Sequence, residues 1–311
     1  MNDILHRTRV ALTLDRTPGF NYSCNLLGVR FPVQTPDHIE VHMDHGAYCE
    51  DLTGQVDWGA ASLLADVAMG CVVRANLPPD QRLGTVSLQL QFTGLPLIGP
   101  LVAEGGFTRF IEAADSRQGL CTCRVLTPHG PAILGQGAFM VMSPPPGRTM
   151  HPVVDAIHAG AQPLADADMD AHERELMART RRALQAMDGE RGFLQHFWGL
   201  HPQRTAEGAD CRVENGPHLG NRVGHMQGGL QTGLALVTAG AALPPHWSVS
   251  AVSAWFLRPG EGPFIEARAR VDHRGRNTAV VRTTLTNAEG QRVLEAVSTH
   301  IRGIPHTTAA E

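Results

Sequence analysis

The sequence predicts an α+β fold built twice, each unit an antiparallel sheet wrapped around one central helix. Three observations carry that expectation. Two glycine-bearing helix starts, Asp57-Trp58-Gly59 and Gln227-Gly228-Gly229, recur at an offset of 170 residues. The segments after them, Ala60 to Arg74 and Leu230 to Leu243, are apolar nearly all round, as a helix covered on most sides must be. Each then leads through a Pro-containing turn into a series of segments that alternate at strand period.

Upstream of the helices, Asp51-Leu52-Thr53-Gly54 matches Asn221-Arg222-Val223-Gly224 at the same offset. Downstream, Leu77-Pro78-Pro79-Asp80 precedes the strand Thr85 to Phe92, and Leu243-Pro244-Pro245 precedes Ser248 to Phe256. Phe107 to Ala113, Gly119 to Leu126 and Ala132 to Met142 then answer Phe264 to Asp272, Thr278 to Thr286 and Arg292 to Ile301. Turns such as Asn287-Ala288-Glu289-Gly290 mark these sets as antiparallel. Asp168 or Asp170 caps a further helix carrying Leu176, Met177, Ala183, Leu184 and Met187, with Arg179, Arg181 and Arg182 on a solvated face. The chain therefore divides into an N-terminal segment at 1–19, a first unit at 20–145, a linker at 146–167, a second unit at 168–305 with its introductory helix, and a tail at 306–311.

Composition narrows the function. Of 311 residues 42% are hydrophobic, enough for real cores, and 26 Lys plus Arg against 30 Asp plus Glu give a charge of −4. No basic field exists to attract nucleic acid. Charges scattered through Met1 to Phe20 leave no readable export signal, and Leu230 to Leu243 is too short to span a bilayer. The six cysteines form no CxxC pair, which favours reduced thiols in a cytoplasmic protein without a metal or other cofactor. No G-x-S-x-G elbow or H-E-x-x-H helix occurs, so serine hydrolase and zinc protease chemistry lack support, and each lone His, His225 included, reads as structural or solvated.

One residue breaks the apolar pattern. Asp66 is the single acid or base between Trp58 and Val73, and an unpaired buried carboxylate must find partners, shift its pKa or reach a wet cleft. A bond to Arg74 or Arg82 would be a purely structural use. The repeat argues otherwise, because the matching position is Leu236 and the architecture does not need an acid there. Gly228 and Gly229 open the second helix with backbone N–H groups uncovered by side chains, a place suited to developing negative charge. A Gly-Gly pair serving only as a tight turn is the plainer alternative.

These residues resemble the hotdog-fold acyl-CoA thioesterases of the phenylacetate-pathway type. That family's pattern is an Asn, a His-Gly-Gly turn six residues later, and an acid nine residues after the His. Here Asn221 lies six before Gln227-Gly228-Gly229, while Asp66 lies nine after Asp57, so the match is split between halves. The resemblance implies a tandem double hotdog with one site between the units and no cofactor. Asn221 and the Gly228 amide would polarise the thioester carbonyl, Asp66 would activate water or attack directly, and Thr85 would position the water or the acid. Gln227, where the family usually has His, and Gly229 would bind substrate. The second cleft, built from Asp51, Asp57, Trp58 and Leu236, would be inert. An acyl-CoA-binding protein without turnover and a hotdog dehydratase or hydratase are the rival readings; homo-oligomers of pseudo-dimeric chains stay open.

Overall fold

The computed structural model of the chain describes residues 2–17, 19, 21–144, 147, 160–187 and 189–303. Most of the expected linker at 146–167 and all of the expected tail at 306–311 lie outside these residues. The first half runs α1 (Asn2–Asp15), α2 (Tyr22–Leu27), β1 (Arg30–Gln34), β2 (His38–Met43), α3 (Trp58–Arg74), β3 (Arg82–Phe92), β4 (Leu101–Ala113), β5 (Ser116–Thr127) and β6 (Gly130–Met142). The second half repeats that order with α4 (Ala171–Ala186), α5 (Phe193–Trp198), β7 (Gln203–Arg204), β8 (Gly208–Glu214), α6 (Gly228–Ala242), β9 (Trp247–Phe256), β10 (Phe264–Arg274), β11 (Thr278–Asn287) and β12 (Arg292–Arg302).

Local chemistry sets the element ends. Asp170 and Glu173 form a reciprocal capping box at the start of α4. Asp57 caps α3 by accepting from the Gly59 N–H at 2.7 Å, and Gln227 caps α6 by accepting from the Leu230 N–H at 3.0 Å. α2 and α5 both stop at a left-handed glycine, Gly28 and Gly199, whose N–H closes the last turn. The helix expected after Asp168 or Asp170 is α4, capped by Asp170, whereas α1, α2 and α5 were not expected from the sequence. The 1–19 segment instead folds as α1, packed on α2 and α4, with Thr8 and Thr180 hydroxyls 3.3 Å apart in the buried contact. Of the arginine run of α4, Arg181 and Arg182 are exposed, Arg182 pairing with Glu175, whereas Arg179 is largely buried and pairs with the exposed Glu214, so the run is not wholly a solvated face.

The twelve strands form one sheet in the order β1-β2-β4-β5-β6-β3-β9-β12-β11-β10-β8-β7, antiparallel at every pairing. The halves join where β3 pairs with β9, from Ser87 opposite Trp255 to Gln91 opposite Ala251. That pairing removes two strand edges that separate units would leave open. α3 and α6 lie on the sheet's inner side and pack on each other, and one continuous core runs through both halves. Glycines permit the helix contact. A Cβ on Gly229 would stand 2.4 Å from Leu63 Cα, and one on Gly233 would stand 2.5 Å from Gly59 Cα. Among the described residues no helix is long and apolar enough to cross a membrane, and all six cysteines are free.

This packing makes the α6 glycines unequal. Gly233→Ala forces the two helix backbones apart and lowers unfolding stability by about 1–3 kcal/mol. Gly240→Ala meets nothing within 4 Å and raises it by up to about 1 kcal/mol through helix propensity. Urea unfolding of the two variants measures both signs.

Candidate active site

Asp66 sits in the middle of α3, only 5% exposed, where the helix meets the start of α6. Neither Arg74 nor Arg82 reaches it. Its Oδ1 accepts from the Thr85 hydroxyl at 3.1 Å, and its Oδ2 accepts from the Gln227 Nε2 at 2.7 Å and the Gly229 N–H at 3.0 Å. Thr85 lies beside a register shift in β3, which departs from regular pairing with β6 between Thr85 and Ser87. Burial pushes the carboxyl from 3.8 up to about 6, and the Thr85, Gly229 and Gln227 donors hold it from rising further. All three donors are neutral, so they orient the carboxylate without neutralising it.

The first turn of α6 can be accounted for donor by donor. The Leu230 N–H is taken by the Gln227 side chain and the Gly229 N–H by Asp66. Gly228, whose N–H the helix cannot satisfy itself, borders the cavity. A Cβ on Gly228 would lie 2.9 Å from the Thr85 hydroxyl and 3.0 Å from Asp66 Oδ2, so the absent side chain is what leaves space beside the acid. The sequence reading assigned Gln227 and Gly229 to substrate; in the fold both point their donors at Asp66.

Asn221 belongs to the turn that leads into α6. Its Oδ1 accepts from the Val223 and His225 N–H groups at 3.0 and 3.1 Å. Asp51 makes the same turn in the first half, accepting from the Thr53 and Gln55 N–H groups at 2.7 and 3.2 Å. The turn needs only the oxygen, which either residue supplies; Asn221 alone adds an N–H donor. His225 is paired with Glu261 at 2.9 Å and borders the same cleft as Asn221.

Asp66, Thr85, Asn221, Gln227 and Gly228 all border one cavity of about 370 Å³ between the halves. Its apolar wall includes Val67, Phe139, Met140, Met226 and Phe256. Cys71 also borders it, but burial raises that thiol to about 12, leaving it protonated and a poor nucleophile at neutral pH. Arg74, Arg82, Arg222, Arg258 and Gln231 line the same space and were missed as site residues, because Arg222 stood only in the repeat-matched turn and only folding gathers the five. Among the described residues no cluster of His, Cys, Asp and Glu is arranged to hold a metal.

The pseudo-equivalent place in the other half is built differently. Trp58 stands where Gly228 would, its ring 4.9 Å from that of Phe92 and edge-on to it. Leu236 replaces the acid and is buried. Asp57 is spent on capping α3 and on a 3.3 Å bond from Gln195, and burial lifts its carboxyl to about 6.

Residues 218–301, which include Asn221 and the start of α6, match the family model of the acyl-CoA thioesterase N-terminal domain. The second half carries a thioester-hydrolase domain. No curated protein matches the sequence. Among solved structures, an Alicyclobacillus acidocaldarius protein of unknown function with the hot dog fold is 10% identical, with a TM-score of 0.50 over 89% of this chain and 96% of that one. A 12:0-ACP thioesterase from Umbellularia californica is 10% identical, TM-score 0.50, covering 85% of this chain and 93% of that one. A Lactobacillus plantarum protein assigned as an oleoyl thioesterase is 9% identical, TM-score 0.51, covering 86% and 97%. The fold is a hotdog fold.

The buried carboxyl ties stability to pH. A folded-state pKa raised to about 6 means that Asp66 contributes fully below about pH 4 and that this contribution is lost as pH rises through about 6. The ionised form then disfavours the folded state by on the order of 3 kcal/mol. Asp66→Asn, which keeps the shape, is therefore expected to gain stability over the parent at pH 8 and little at pH 4, by urea unfolding at each pH.

Proposed function

We propose that the chain is an acyl-CoA thioesterase, a tandem double hotdog with a single site between units at 20–145 and 168–305. The supporting observation is the meeting of Asp66 from one half with the Gly228-Gly229 helix start of the other, beside an apolar cavity. In this reading the thioester carbonyl oxygen rests against the Gly228 N–H and the Asn221 side-chain N–H, which strengthen as charge develops on it. Asp66, ionised above about pH 6, takes a proton from an attacking water. The water oxygen bonds to the acyl carbon, the C–S bond breaks, and the proton passes to the departing thiolate. Products are the free acid and CoA. Direct attack by Asp66 would give the same products through an anhydride that water then opens. Thr85, Gln227 and Gly229 act as positioning residues for the carboxylate, and no metal or cofactor is required because a thioester lacks much of an amide's resonance.

Release of free thiol from acyl-CoA tests the reading. Asp66→Asn is expected to lower kcat/KM about 10²- to 10⁴-fold while remaining folded. Asn221→Ala is expected to lower it about 10²- to 10³-fold, whereas Asp57→Ala, outside the cleft, costs about 0.5–2 kcal/mol of helix capping with turnover retained. In the parent, kcat/KM should fall as pH drops below about 6. Full activity in folded Asp66→Asn, or equal damage from Asp57→Ala and Asn221→Ala, would refute the single-site assignment.

A further inference from the structure

Two aromatic rings border the cavity among the described residues, those of Phe139 and Phe256, and of the two only Phe139 is buried, at 3% exposed. β6 sets Phe139 directly opposite Thr85 of β3, whose hydroxyl donates to Asp66, so its backbone stands one strand spacing, about 5 Å, from a residue that holds the acid. The ring itself rests on α3, where a Cβ on Gly70 would lie 3.3 Å from it. Along β6 the cavity wall reaches inward to Phe139 and goes no deeper. The next two positions on the same face are Gly137 and Gly135, paired on β5 with Cys121 and Cys123. Past the ring lie the core side chains Met69 and Leu88, each 3.1 Å from where a Cβ on Gly137 would be. On strands so poor in bulk, the Phe139 ring is the group that separates the cavity from that core.

The repeat shows that the fold does not require this fit. Thr85 and Phe139 pair beside a register shift, and at the matching shift of the second half Val249 pairs with His300. His300 is buried as well, but its ring turns to Ser298, with Nε2 2.9 Å from the hydroxyl. Gly70 is matched at the 170-residue offset by Gly240, where a Cβ would meet nothing within 4 Å. An apolar ring seated on the helix glycine belongs to the half that carries Asp66.

The thioesterase reading supplies the direction of the acyl chain. With the carbonyl beside Asp66, the carrier arm leaves by the open end, where Leu257 is 46% exposed, and an apolar chain gains most at the buried end between Val67, Gly70 and Phe139. Gly70 lies four residues beyond Asp66 on α3, about 6 Å of helix rise, which a straight chain covers in about five carbons. The geometry points to Phe139 as the residue that closes the acyl pocket, so that the cleft takes thioesters of short acyl chains, about six carbons or fewer. This assignment rests on the thioesterase reading.

Thiol release by the full chain is measured with straight-chain acyl-CoA thioesters from acetyl to dodecanoyl. The parent's kcat/KM is expected to fall about tenfold or more between hexanoyl and decanoyl. Phe139→Ala is expected to raise the decanoyl-to-butanoyl ratio of kcat/KM about tenfold or more, and Phe139→Leu, which keeps more of the volume, about threefold or more. A purely structural ring would lower every chain length together and leave that ratio unchanged. A parent that hydrolyses dodecanoyl as well as butanoyl, or a ratio unchanged in a folded variant, overturns the proposal. Phe139→Leu decides alone should Phe139→Ala not fold. If the parent releases thiol from no chain length, the thioesterase reading fails. Calorimetry with butyl and decyl thioethers of CoA, which cannot be hydrolysed, then decides the pocket: a decyl-to-butyl affinity ratio that rises about tenfold in the variant upholds it, and an unchanged ratio or no binding of either overturns it.

Discussion

The contact between α3 and α6 constrains the rest of the molecule, because the two apolar helices approach with glycine on at least one side of each closest point. Gly229 lies against the Leu63 backbone and Gly233 against Gly59, distances that no side chain fits. This closeness lets an acid in the middle of one helix reach the first turn of the other. It also brings β3 and β9 together at the sheet's centre, so that the two halves share one core and one hydrogen-bonded sheet. Separating the halves would expose that core and two strand edges, so the cleft between them is a permanent feature.

A carboxylate placed at such a crossing is electrostatically unfavourable, and the way it is stabilised matters for chemistry. A guanidinium partner would hold Asp66 firmly ionised and make it a weaker base. Donors from Thr85, Gln227 and Gly229 orient the oxygens while leaving burial as the dominant influence on the pKa. The result is a carboxyl near the middle of the acid range, closer to what proton transfer at neutral pH needs. The same helix crossing in its other copy carries Leu236 and Trp58, which fill space apolarly.

Turn chemistry explains how the two halves close the same turns and caps with different residues. Asp51 and Asn221 both close their turns with a side-chain oxygen, and Asp57 and Gln227 both cap a helix with one. Each pair is structurally interchangeable in what it accepts and different in what it can donate. Only the second-half members add N–H groups, and Gln227 uses its own to hold Asp66.

Much of this was legible in one dimension. Periodicity marked both long helices and the eight long strands, and Asp66 stood out as a lone charge in an apolar helix, because each is a property of residues near one another in sequence, while the 170-residue offset marked the repeated order of elements. The opening helices α1 and α2 were not legible: α1 mixes charged and apolar residues, and its fit depends on packing against α4, 170 residues away. Nor was the division of labour at the first turn of α6, where Gly229 and Gln227 serve the acid and Gly228 faces the cavity. The gathering of four arginines from an α3 end, two strand ends and a loop was equally invisible. The sequence by itself determined which residues are helical, extended and out of pattern, since those follow from local sterics and burial period. Only the tertiary structure decided which donors meet which acceptors, because hydrogen bonds and charges act over a few ångströms of space whatever their separation along the chain.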